Sequence, residues 1–141
     1  MIAIVCDHGG FKLKEYLKNK LTELEWKDYG TFSEESTDYP DQAALLADSL
    51  KKGVIKTAIA ICGTGIGMSI ALNRYNYIRA ALCHDFQTAE LARKHNDANI
   101  IVLGGRILKE ETAAEMVKIF LSTAFEGGRH ERRVKKLQTL C

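Results

Sequence analysis

Proline is nearly absent from this sequence. Pro40 is the only one, and the eleven glycines accompany it in a chain of 141 residues. Collagen-like and proline-rich low-complexity architectures are therefore excluded. Long hydrophobic runs are missing too: the longest fall far short of the roughly eighteen apolar residues that a membrane span needs. Met1 leads straight into Ile2-Ala3-Ile4-Val5, without the basic segment and small-residue cleavage site of a secretory leader, so a cytoplasmic protein is expected. A strong charge of one sign is also lacking. The net charge is +2, and residues 126–141 hold five Lys/Arg against two acids while the rest hold fifteen against sixteen. No basic stripe interleaved with aromatics is present, so neither nucleic acid nor membrane is an expected partner. The basic tail suits a small anion.

Cysteine pairs with metal or redox spacing are equally missing. Cys6, Cys62, Cys83 and Cys141 are even in number but widely spaced, and no C-x-x-C occurs. A chain of this size needs no disulfide staples, so reduced thiols are expected. Cys6 and Cys83 end apolar runs and read as inert core residues. The four histidines, His8, His84, His95 and His130, show neither His-x-x-x-His nor His-Glu-x-x-His spacing, and no metal site is expected.

What is present is a regular alternation. Continuous apolar runs at 2–6, 57–61, 78–83 and 99–103 read as strands buried on both faces, and 26–29 as a further short strand. Helical periodicity covers 11–24, with lysines between the apolar positions, and also 41–50, 68–74, 86–94, 110–125 and 129–140. Residues 31–40 read as a polar loop. The pattern predicts one α/β domain over 1–141, a three-layer Rossmann-like sandwich. Its five-stranded parallel sheet carries helices on both faces, with an extra C-terminal helix. Ligands of such sheets gather outside the carboxyl ends of the strands.

Several polar residues stand at those ends. Cys62-Gly63-Thr64-Gly65-Ile66-Gly67 joins a strand to a helix. Glycines let backbone N–H groups turn toward a ligand, and a helix N-terminus favours negative charge. Met68 breaks the dinucleotide fingerprint, and no Gly-Lys-Ser/Thr follows to make a P-loop. A thiol beside a helix entry is lowered toward neutrality, so Cys62 suits a nucleophile or base, with an inert buried cysteine as the alternative. Arg129 and Arg133, four residues apart, can project from one helix face as a phosphate clamp; a solvated basic face is the alternative.

Taken in order, the blocks Cys6-Asp7-His8-Gly9-Gly10-Phe11, Thr37-Asp38-Tyr39-Pro40, Ile61 to Gly67, Arg93 to Asn99, and Glu126-Gly127-Gly128-Arg129-His130 with Arg133 resemble the ribose-5-phosphate isomerase type B family. That family also holds allose- and galactose-6-phosphate isomerases, and the resemblance spans nearly the whole chain. It implies that Cys62 moves the proton between C1 and C2 with Thr64 assisting. The N–H groups of Gly63, Thr64, Gly65, Ile66 and Gly67 would stabilise the enediolate, and His95 would open the sugar ring. Asp7, Asn96 and Tyr39 would contact the sugar, and His8, Arg106, Arg129 and Arg133 the phosphate. A branch with glutamate at the position of Met68 is set aside, because methionine is no base. The resemblance further implies a sugar phosphate as ligand, no cofactor, and a homodimer or tetramer whose sites are shared, with His95, Asn96 and Arg106 arriving from the partner. A non-catalytic sugar-phosphate or nucleotide binding module on the same sheet is the rival from another class; it would have no use for Cys62 together with His95.

Overall fold

The computed structural model describes residues 1–140, and Cys141 lies outside the described residues. Among them, β1 (Ile2–Cys6), β2 (Trp26–Asp28), β3 (Ala58–Cys62), β4 (Ala80–Leu82) and β5 (Ile100–Gly104) form one parallel sheet in the order β2-β1-β3-β5-β4. The helices are α1 (Phe11–Lys20), α2 (Tyr39–Lys51), α3 (Ile66–Leu72), α4 (Phe86–Asn96), α5 (Glu110–Ser122) and α6 (Arg129–Gln138). A single 3-10 turn, His8–Gly10, precedes α1.

The two-residue period of the strands sorts the core into two layers. Ile4, Cys6, Ile59, Ile61, Ile101 and Leu103 point toward α1, α4 and α5. Ala3, Val5, Ala58, Ala60, Ile100 and Val102 point toward α2 and α3. The expected three-layer sandwich is thus present. The central strands β1, β3 and β5 are buried on both faces, each large aliphatic contributing about 1.5–3 kcal/mol. β4 departs from expectation: it spans only three residues, lies at an edge, and leaves Ala81 and Leu82 partly exposed.

Helix ends differ from the sequence reading for local reasons. α2 starts at Tyr39 inside the expected loop, because Pro40 occupies the first turn, where its missing N–H costs nothing. α1 stops at Lys20, and Leu21–Leu24 closes as a turn with the Leu24 N–H donating to Leu21 O at 3.2 Å. α5 stops at Ser122, since Thr123 is already extended.

Lys14 departs from the polar face that helical periodicity gives to lysine. Its side chain is fully buried, with Nζ donating to both oxygens of Asp28 at 2.8 Å and to the Thr31 carbonyl at 2.7 Å. The contact ties α1 to the end of β2. A buried charge needs such partners, because removing one of them leaves the other uncompensated, at a cost of about 3–5 kcal/mol.

Candidate active site

The strand order reverses direction between β1 and β3, and the loops leaving their carboxyl ends open a crevice there. Those loops touch backbone to backbone. A Cβ on Gly9 would lie 3.0 Å from Gly63 Cα, and one on Gly105 would lie 2.7 Å from the Gly9 carbonyl. Three chain turns, after β1, β3 and β5, are thereby drawn onto one spot.

Cys62 ends β3, paired with Gly104 of β5, and is 4% exposed. Its Sγ accepts the N–H of Gly65 at 3.2 Å. The other two described cysteines behave oppositely: Cys6 Sγ donates to Thr31 O and Cys83 Sγ to Ala81 O. Burial, the dominant cause, pushes Cys6 up to about 12 and Cys83 up to about 11. They are the inert core thiols the sequence implied. Of these three thiols, Cys62 is the one whose sulfur accepts an N–H. Gly65 takes a left-handed backbone, φ 81, to make this turn, and a Cβ there would strike Leu82 Cδ1 at 2.5 Å. The Ile66 N–H donates to Thr64 Oγ1 at 3.2 Å. Two of the five loop N–H groups expected to face an enediolate are therefore engaged within the loop.

Around this turn stand Asp7, His8, Tyr39 and Arg106. Asp7 is buried and its Oδ1 accepts the Gly9 N–H at 2.9 Å, fixing the turn after β1. His8 Nδ1 accepts the Thr37 N–H at 3.2 Å, which leaves Nε2 as the protonated nitrogen of the neutral ring. Thr37 is thus a positioning partner that residue type alone did not single out, although it stands in the Thr37-Asp38-Tyr39-Pro40 block. The Tyr39 ring lies so close over Gly67 that a Cβ there would meet it at 2.6 Å. Arg106 lies on this same chain's loop, with NH1 3.2 Å from a Cβ built on Gly63. The expectation that Arg106 comes from a partner is corrected: the short Gly104-Gly105 link after β5 sets it beside β3 in its own chain.

His95 and Asn96 lie elsewhere. α4 leaves the carboxyl edge after β4 and runs eleven residues, about 16 Å, back to the amino edge. There Asn99 O accepts the N–H of Ala58, the first residue of β3. Cys62 stands at the other end of that strand. α6 joins His95 rather than Cys62: the His95 and His130 rings stack at 4.2 Å with 14° between their planes. Arg129 and Arg133, on α6, therefore share an edge with His95 and not with Cys62. The predicted residues thus fall into two groups, one around Cys62 and one around His95.

Histidine spacing overlooked one cluster. Ligand atoms of His95, Glu126 and His130 all lie within 4.8 Å of one another. The nearly parallel rings aim their in-plane lone pairs side by side rather than at a common point, and Arg129 and Arg133 add positive charge nearby. That geometry does not favour a cation. Burial, followed by His95 and Arg129, pulls His130 below the ordinary imidazole range.

Comparison with known proteins identifies the family. The family model described as Ribose/Galactose Isomerase matches residues 2–137. Ribose-5-phosphate isomerase B of Escherichia coli is 42% identical, over 99% of this chain and 95% of its own. Ribose-5-P isomerase B of Listeria innocua is 39% identical over the same shares, 99% and 95%. A crystal structure of a ribose 5-phosphate isomerase from Thermotoga maritima superposes with a TM-score of 0.96 at 52% identity, covering 99% of this chain and 97% of that one. Sheet order, crevice and motif blocks thus lead to one assignment: the chain belongs to the ribose/galactose isomerase family, whose members are sugar-phosphate isomerases.

Proposed function

We propose that residues 1–141 act as one domain interconverting D-ribose 5-phosphate and D-ribulose 5-phosphate through an enediolate, without a cofactor. The observation that carries this reading is the Cys62 thiol, seated on a glycine turn at the switch point and accepting the Gly65 N–H. Aldose–ketose interconversion removes a proton alpha to a carbonyl and returns it to the neighbouring carbon. Cys62 Sγ would take the proton from C2 of the open-chain aldose and deliver it to C1. The loop N–H groups and Thr64 would hold the developing oxyanion, and loss of one such donor typically costs about 10²–10³ in rate. Engagement of Gly65 and Ile66 N–H within the loop leaves Gly63, Thr64 and Gly67 as the donors first in reach.

His95 would act as the acid and base of ring opening, for which imidazole titrates in a useful range. Asp7, Asn96 and Tyr39 would line the sugar. His8 through Nε2–H, Arg106, Arg129 and Arg133 would hold the phosphate, whose binding energy positions the reacting carbons. Separation of the two groups supports a homodimer in which the Cys62 group of one copy meets the His95, Asn96, Arg129 and Arg133 group of another. A reaction on a phosphorylated pentose suits the pentose phosphate pathway in the cytoplasm, and no helix among the described residues is long and apolar enough to cross a membrane.

The test is kcat/KM measured side by side for ribose 5-phosphate, allose 6-phosphate and galactose 6-phosphate, with Cys62→Ala beside wild type. Ribose 5-phosphate should be preferred. Cys62→Ala should abolish turnover while leaving binding of a sugar-phosphate ligand largely intact by calorimetry. A six-carbon preference would reassign the substrate, and near wild-type turnover by Cys62→Ala would remove Cys62 as the base.

A further inference from the structure

Asp97 is the one non-glycine residue with a left-handed backbone among the described residues, at φ 45. It directly follows His95 and Asn96 and ends α4. Few side-chain-bearing residues adopt this conformation, aspartate being one of them. Contacts from two directions hold it. Arg93, one turn earlier on α4, donates through NH1 to Asp97 Oδ1 at 2.8 Å. Arg79, ahead of β4, donates through NH2 to Oδ2 at 3.3 Å and through Nε to the Asp97 carbonyl at 2.9 Å. Each carboxylate oxygen thus has its own guanidinium.

Arg93 also reaches beyond this turn. Its NH1 donates to Ala98 O at 2.6 Å and its Nε to Thr123 O at 3.3 Å, and the group stands over the Phe120 ring of α5. The Glu126 N–H donates to the Lys94 carbonyl at 3.1 Å. The anchor therefore joins the end of α4 to the segment that leads from α5 into α6, and that segment brings His130 onto His95.

We propose that the Asp97 carboxylate, gripped by Arg79 and Arg93, is a positioning residue for sugar-ring opening. It fixes the direction in which His95 and Asn96 leave α4, and through Arg93 it fixes their distance from residues 123–130. The inference rests on the ring-opening role given to His95 above. Charge is the essential property. Asparagine can follow the same backbone, but it offers a single neutral acceptor where two guanidinium groups wait. A histidine displaced by about 1 Å from its substrate can lose on the order of 10²-fold in rate.

The experiment uses Asp97→Asn and Asp97→Gly, both compatible with a left-handed backbone. Two substrates are compared: ribose 5-phosphate, and 4-deoxyribose 5-phosphate, which has no 4-hydroxyl with which to close a ring. Both variants should lose about 10²-fold in kcat on the ring-closing substrate but no more than about threefold on the linear one. Their Tm should stay within about 4 °C of wild type, and the His95 ring resonances should move in the NMR spectrum. Equal losses on the two substrates, an unchanged kcat on ribose 5-phosphate, or unmoved His95 resonances would each overturn the inference. His95→Asn in the same assay separates the two levels. If it slows both substrates alike while the Asp97 variants still displace the His95 resonances, the ring-opening role falls and the positioning contact stands.

Discussion

Cys62 differs from its neighbours in one hydrogen bond. Three buried thiols lie within one sheet and its margin, yet only Cys62 accepts an N–H, while Cys6 and Cys83 point S–H at carbonyl oxygens. At neutral pH the latter two, raised to about 12 and about 11, are almost wholly protonated and hence unreactive. Iodoacetamide at pH 7.5 should therefore alkylate Cys62 well before Cys6 or Cys83. Loss of activity should track the Cys62 peptide by mass spectrometry, and prior labelling of Cys6 would contradict the orientation described. Cys62 was legible in the sequence because the end of an apolar run followed by glycines is a local pattern. The Thr37 N–H on His8 was not, because it joins residues 29 apart in the chain. The burial of Lys14 was hidden for the same reason: its partners Asp28 and Thr31 belong to another element.

At the scale of elements, strand interiors were readable because burial on both faces demands continuous apolar runs. Their helical neighbours were readable in type, less so in extent. Tyr39 and Pro40 looked like loop until the first turn of α2 absorbed them, and the end of α1 is set by the Leu21–Leu24 turn rather than by any breaker. α6 carries a pH consequence. His130 is buried at its start, against His95 and near Arg129, and its pKa lies below the ordinary value of about 6.5. A depressed imidazole pKa means that the folded state resists a proton the unfolded chain accepts. The stability His130 supports is thus complete above about pH 6.5 and declines as pH falls through that value toward the folded pKa. The Tm should drop between about pH 7 and 5, and His130→Gln should flatten that drop. An equal drop in the variant would place the titrating group elsewhere. Asp28 adds a second loss at lower pH. Burial alone would raise its carboxyl, but hydrogen bonds from Lys14, Lys18 and the Gly30 N–H outweigh burial and hold it down, so its contribution fades only as acid protonates it.

For the whole molecule, the sequence offered candidate site residues but no distances between them. Arg106 and Arg133 have the same chemistry and were grouped together as phosphate ligands. The sheet separates them, because Arg106 follows the carboxyl end of β5 while α6 docks at the far end of α4. Which residues share an edge depends on how often the chain has crossed the sheet, and only the fold records that count.

On the dimer proposed above, the placement of Cys62 and His95 at opposite edges makes the protein genetically divisible. In a two-fold dimer with shared sites, a Cys62→Ala chain still lends its intact His95 to a neighbour, and a His95→Asn chain still lends its Cys62. Either variant alone has every site damaged. A heterodimer of the two has one site with both lesions and one with none. Co-expressing the two variants, or letting their dimers exchange subunits, should therefore restore about a quarter of wild-type activity from two preparations that are inactive separately. The assay is ribose 5-phosphate turnover before and after mixing. A mixture as inactive as its parents would mean that each chain works alone.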